Sequence, residues 1–140
     1  MVNLVIVSHS ARLAEGVKEL AGSMIDGDVT IIAVGGIAEG DDYRLGTDPM
    51  RIHAALEEVW SEAGVLLLVD LGSAVLSATL ALDFLTPEQR ATCLISNAPL
   101  VEGAVIAALE AGLGHSLEEV NQAAEATAQF EKIPRSLNSY

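Results

Sequence analysis

The residues of this chain able to do chemistry gather where short apolar runs stop. Val2 to Val7 breaks at Ser8-His9-Ser10, and Val65 to Val69 breaks at Asp70-Leu71-Gly72-Ser73. Val29 to Val34 runs into Gly35-Gly36, and Ala91 to Ile95 into Ser96-Asn97. If each run is a strand, the strand ends present one histidine, one carboxylate, small hydroxyls and glycines together. In an open parallel sheet that edge is where ligands bind and chemistry collects.

What is missing narrows the chemistry. Neither "GxxxxGK[ST]" nor "GxGxxG" occurs, so the common nucleotide-binding loops are absent, and no "GxSxG" elbow presents a serine. The three histidines, His9, His53 and His115, lack metal-ligand spacing, and no metal or cofactor is expected. Cys93 falls within a predicted buried strand, where a thiol is inert. An imidazole with a carboxylate partner remains. If Asp70 accepts the Nδ1 proton of His9, it fixes the tautomer, frees Nε2 and stabilises the positive ring formed when Nε2 gains a substituent. Backbone N–H groups of Gly72 and Ser73 at a helix start can then hold a phosphoryl group. Residue types and spacing fit a covalent phosphohistidine best. A general-base hydrolase and a ligand-binding module stay open.

The elements that must position these groups alternate. After the first strand, Leu13, Val17, Leu20, Ala21 and Met24 recur at helical spacing, predicting a helix from Ala11 to about Met24. Asp26-Gly27-Asp28 reads as a turn before the second strand, and "GGIAEGDDYRLGTDP" as a long loop. Asp48 can cap a helix with Pro49 in its first turn. "VLLLV" (Val65 to Val69) is apolar throughout, as in a strand covered on both faces. A helix from Ser73 to Phe84, a fourth strand, a helix from Pro99 capped by Asn97, and a last helix from Leu117 to Phe130 follow. Ser116 and Glu119 form a capping box for that last helix. The implied fold class is α/β, a four-stranded, mainly parallel sheet with helices on both faces. Residues 1–131 read as one domain and 132–140 as a tail without periodicity. The helices Ala74 to Leu82 and Leu100 to Leu109 are apolar around much of their girth, more than one domain can cover, so a homodimer is expected.

Composition excludes other classes. Twenty acidic residues against seven basic ones give a net charge of −13, which repels nucleic acid and anionic lipid surfaces. Mean hydropathy is high, +0.41, yet no uncharged run approaches the ~18 residues of a membrane span. A single cysteine cannot form an internal bridge, and no secretory leader is evident, so a cytoplasmic location is expected.

Four ordered motifs carry a family likeness: "VNLVIVSHSARLAEGV" from Val2, "GGIAEGDDYRLGT" from Gly35, "LLVDLGSAVLSA" from Leu67 and "NAPLVEGAVIAA" from Asn97. In these the chain resembles the phosphotransferase subunits (DhaM) of bacterial dihydroxyacetone kinases, relatives of the mannose-type IIA domains of the sugar phosphotransferase system. The resemblance implies the mannose-IIA-like fold and a phosphoryl route from phosphoenolpyruvate through enzyme I and HPr to His9. It implies ADP bound in the DhaL subunit as acceptor, with DhaK holding dihydroxyacetone in the same complex. It makes His9 the phosphoryl-carrying nucleophile and Asp70 its partner; Ser10, Gly36, Gly72 and Ser73, by their place at the strand ends, are the candidates to hold the phosphoryl group. Sugar-specific relatives usually carry "GGSPxN" after the third-strand aspartate, where this chain has "LGSAVLS". Some members continue into HPr-like and enzyme I-like domains; a chain of 140 residues is expected to use a separate HPr. Its acidic surface suits a basic ring around the HPr histidine. A sugar-specific IIA component and a non-catalytic regulatory module of the same fold are the alternatives.

Simpler roles account for the other residues. The hydroxyls of Thr47 and Ser73 suit helix caps. His53 adjoins an apolar stripe, and His115 sits between Gly114 and Ser116 in a loop. Arg12 places a cation in the first turn of a helix, against the helix dipole, which suits contact with a phosphate or a partner.

Overall fold

A computed structural model describes residues 1–25 and 27–137. In chain order the elements are β1 (Asn3–Ser8), α1 (Ala11–Gly22), β2 (Ile31–Gly35), β3 (Ile37–Glu39), β4 (Asp42–Arg44), α2 (Pro49–Val59), β5 (Val65–Val69), α3 (Gly72–Asp83), α4 (Pro87–Arg90), β6 (Cys93–Ile95), α5 (Leu100–Gly112) and α6 (Leu117–Ala126). Short 3-10 turns occupy Thr127–Gln129 and Arg135–Leu137.

β1, β2, β5 and β6 form one sheet in the order β2-β1-β5-β6, every pairing parallel. The register matters for the site. Ser8 pairs with Gly35 and Val7 with Val69, so Asp70 leaves the sheet beside Ser8, one residue before His9 and Gly36. β1 is central, and its pleat sends alternate side chains to two cores. Leu4 and Ile6, with Leu66 and Leu68, meet α1, α5 and α6 through Ala14, Val17, Ala104, Ala107, Ala111 and Val120. Val5 and Val7, with Leu67, meet α2 and α3 through Ile52, Leu56, Ala74, Ala78 and Ala81. Each large side chain fully buried here contributes about 1.5–3 kcal/mol.

The four parallel strands, the helices on both faces, the Asp48 cap with Pro49 behind it and the Ser116–Glu119 capping box agree with the sequence. Several details differ. The expected glycine loop contains an antiparallel hairpin, β3 with β4, Ile37 opposite Arg44. A one-turn helix, α4, stands before the last strand, closed by its own capping box of Thr86 and Gln89. That turn uses up Arg90 and Ala91, and β6 begins only at Cys93. α1 ends at Gly22, and α6 ends at Ala126, passing into a 3-10 turn. Asn97 caps nothing: its N–H donates to Glu125 Oε1 at 3.1 Å, and Pro99 precedes α5 without a side-chain cap. Asp26 of the expected turn, and residues 138–140 of the tail, lie outside the described residues. Of the two helices apolar all round, α5 is covered by the sheet, α1 and α6. α3 is not: Leu76, Leu80 and Phe84 stand 73%, 50% and 59% exposed.

Candidate active site around His9

Asp70 organises the strand ends. Its Oδ2 accepts the His9 N–H at 2.9 Å and the Ser8 hydroxyl at 2.9 Å. Its Oδ1 accepts the Leu71 N–H at 2.8 Å and lies 3.0 Å from His9 Nδ1. Burial alone would push this carboxyl up, but the bonds from His9, Ser8 and Leu71 outweigh it and hold the pKa below 3.8. An ionised carboxylate only accepts, so Nδ1 must donate; the hydrogen-bond network assigns the tautomer. Nε2 then carries the free lone pair.

That lone pair faces the start of α3. Ser73 Oγ lies 2.9 Å from Nε2 and donates its proton there. Gly72 and Ser73 are the first two residues of α3, where no intrahelical carbonyl can reach their N–H groups. The N-cap, Leu71, provides no side-chain cap. The positive end of this helix is thus open beside the nucleophilic nitrogen, an arrangement suited to an anion. The His9 side chain is 26% exposed and Asp70 11%, so the ring is reachable while its partner is shielded.

The hairpin segment closes the other side of His9. Gly46 N–H donates to the His9 carbonyl at 2.9 Å, and Gly36 N–H to the Ser8 carbonyl at 3.3 Å. Arg51 from α2 donates to the carbonyls of Gly35 at 3.0 Å and Gly36 at 2.9 Å, with its guanidinium 4.8 Å from the centre of the Tyr43 ring. Thr47 Oγ1 meets Ser77 Oγ at 2.6 Å and ties the segment to α3. A cleft of about 300 Å³ between hairpin and α1 is lined by Ser10, Arg12, Tyr43 and Arg44, among others.

His9, Asp70 and Ser73 therefore come together as read from sequence, and Gly72 stands beside them. Ser73 is a ring partner here; the cap position belongs to Leu71. Thr47 bonds Ser77 and leaves the cap of α2 to Asp48. Ser10 is differently engaged: its hydroxyl accepts the Leu13 N–H at 3.2 Å and caps α1. Gly36 gives its N–H to Ser8 and, at φ +69°, turns the chain into the hairpin. The fourth strand end stays local, with Ser96 Oγ accepting the Ala98 N–H at 3.0 Å. His53 on α2 pairs with Glu57, and His115 after α5 with Glu110. Burial pushes the Cys93 thiol up to about 11. Sequence reasoning placed Ser8 at its strand end but gave it no role, and it missed Arg51. Among the described residues no group of three or more His, Cys, Asp or Glu could hold a metal ion, and no helix is long and apolar enough to cross a membrane.

Residues 3–121 match the EIIA-man family, described as the PTS system fructose IIA component. The chain belongs to the EIIA-man family. Its relatives include phosphoryl donor subunits, DhaM, of PEP-dependent dihydroxyacetone kinases. That of Pantoea ananatis is 46% identical over 120 residues, 86% of this chain and 25% of the relative. That of Escherichia coli is 44% identical over 120 residues, with the same shares of the two chains. This EIIA-man chain thus spans about a quarter of the length of those relatives. The DhaM of a second such kinase in Listeria innocua is 37% identical over 122 residues, 87% of this chain and 95% of the relative. A crystal structure described as an unknown function protein, EF1359, superposes with a TM-score of 0.76 at 36% identity, covering 89% of this chain and 92% of that one. The DhaM likeness read from the four motifs is borne out.

Proposed function

We propose that this EIIA-man chain is a phosphohistidine carrier, the phosphoryl donor subunit of a dihydroxyacetone kinase driven by phosphoenolpyruvate. It takes a phosphoryl group from HPr onto His9 and delivers it to ADP bound in a DhaL subunit that works with DhaK. The observation that carries this reading is the Nε2 lone pair of His9, fixed by the Nδ1 contact to Asp70 and aimed at the uncapped start of α3.

In the receiving step, the Nε2 lone pair attacks phosphorus as the N–P bond of the donor breaks. The Nδ1 proton stays where it is, so the phosphorylated ring is cationic and Asp70 is its counter-charge. The Ser73 hydroxyl turns from Nε2 to a phosphoryl oxygen, joined by the N–H groups of Gly72 and Ser73. In the second step a β-phosphate oxygen of ADP attacks, and the cationic imidazole leaves as a neutral ring. Binding energy is spent on a migrating group with no protein acid or base needed, as phosphoryl transfer allows.

Residues 1–131 serve as the phosphocarrier domain of a cytoplasmic homodimer, with the exposed Leu76, Leu80 and Phe84 of α3 at its interface. Acceptor choice tests the reading. Phosphorylated protein mixed with ADP-loaded DhaL should form ATP and lose its label. Transfer only to a sugar-specific IIB domain would make it a sugar-specific IIA component instead.

A further inference from the structure

Ser8 is the polar side chain at this site that nothing from solvent can touch: it is fully buried. Its Oγ accepts the Ser10 N–H at 3.0 Å, and an N–H can only donate. The single hydroxyl proton is therefore committed to Asp70 Oδ2 at 2.9 Å.

This completes the carboxylate. An ionised Asp offers about four lone-pair sites, and here all are taken. Ser8 and the His9 N–H fill Oδ2; the Leu71 N–H and His9 Nδ1 fill Oδ1. With Ser8 in place, no site is left for which Asp70 would turn away from the imidazole. The bonds also join rigid parts. Ser8 ends the central strand β1, Ser10 caps α1, and Asp70 follows β5.

We infer that Ser8 is a positioning residue: its buried hydroxyl locks the Asp70 carboxylate in the rotation that keeps the His9 proton on Nδ1 and the lone pair on Nε2. The inference rests on His9 and Asp70 being the working pair of the proposed carrier. At metal sites, partners that orient a histidine ring from behind typically change affinity or activity 10–100-fold when removed, and a ring aimed at phosphorus depends on orientation in the same way.

A double-mutant cycle tests it with Ser8→Ala, Asp70→Ala and the pair, read by the ¹⁵N chemical shifts of the His9 ring, the rate of phosphoryl transfer from phospho-HPr and the melting temperature. Ser8→Ala should move the ring toward the Nε2–H tautomer and slow transfer roughly 10–100-fold. In the Asp70→Ala background the same change should alter neither, because its route to His9 is gone. Ser8→Thr, which keeps the hydroxyl, should restore the tautomer. If the alanine variant does not fold, Ser8→Cys fills the space with a weak donor and should show the same tautomer shift. A lowered melting temperature with wild-type ring shifts and rate, or effects that simply add in the cycle, overturns the inference. The ring shifts need no phosphoryl donor, so failure of the carrier reading would leave this result standing by itself.

Discussion

Asp70→Asn keeps the shape of the carboxylate and removes its charge. The geometry dictates how the amide sits. Ser8 Oγ–H and His9 N–H both donate toward the Oδ2 position, so the amide carbonyl belongs there. The NH₂ group then falls at the Oδ1 position, where it forfeits the bond from the Leu71 N–H, 2.8 Å away, and lies 3.0 Å from His9 Nδ1, against which it collides unless Nδ1 gives up its proton. The neutral ring is driven to the Nε2–H tautomer, which has no lone pair to offer a phosphoryl group. The cationic phosphorylated ring also loses its counter-charge. A unit charge about 4 Å away at an effective dielectric of about 20 is worth roughly 4 kcal/mol. That corresponds to about a thousandfold in rate. The wrong tautomer acts in the same direction, and a comparable exchange in a histidine–aspartate pair costs about 10⁴. Losing charge-assisted bonds at a shielded site should cost about 2 kcal/mol of stability. For 140 residues this lowers the melting temperature by roughly 7 °C, leaving a folded protein to assay. The assay is rapid-quench transfer of radiolabelled phosphoryl from phospho-HPr. A rate within about threefold of wild type, less than about 0.7 kcal/mol of barrier, would refute the reasoning.

Four further outcomes follow from the same structure. A Cβ on Gly35 would lie 2.4 Å from the Ser10 carbonyl oxygen and 2.8 Å from Ala11 Cα, so Gly35→Ala should destabilise by roughly 2–3 kcal/mol in a denaturant titration. Gly16→Ala, in open space on α1, should stabilise by about 0.5–1 kcal/mol. Because the Asp70 pKa is depressed on folding, its contribution is complete above the ordinary carboxylate range and is lost as pH falls through the folded value. Wild type should therefore lose more stability than Asp70→Asn as pH falls through and below the ordinary carboxylate range, measured by thermal melts. If the proposed homodimer forms through α3, Leu76→Glu with Leu80→Glu should give a monomer by sedimentation while leaving the melting temperature of the subunit near wild type, since both side chains are exposed.

The pairing of His9 with Asp70 is legible because parallel strands must end on one edge, and the two residues end adjacent strands. Ser8 could have been found by phase. It continues the Leu4–Ile6 face of β1, so its hydroxyl was bound to be buried and to need partners. Nothing local marks Arg51, whose role depends on α2 packing beside the hairpin. β3 and β4 are three residues each, wholly or partly exposed and rich in charge, too short for an alternating pattern to register. α4 is one turn long and shows only in its Thr86–Gln89 box. α3 and α5 look alike in composition, and only the tertiary arrangement covers one and leaves the other open.

The central claim is that His9 Nε2 carries the phosphoryl group. Incubation with phosphoenolpyruvate, enzyme I and HPr, followed by intact-mass measurement and ³¹P–¹⁵N correlation on the labelled ring, tests it directly beside a His9→Ala control. An acid-labile gain of one phosphoryl group, bonded to Nε2 and absent from the variant, is the expected result. A phosphoryl group on Nδ1, a gain that survives in His9→Ala, or no gain from an HPr that phosphorylates its other partners would contradict it.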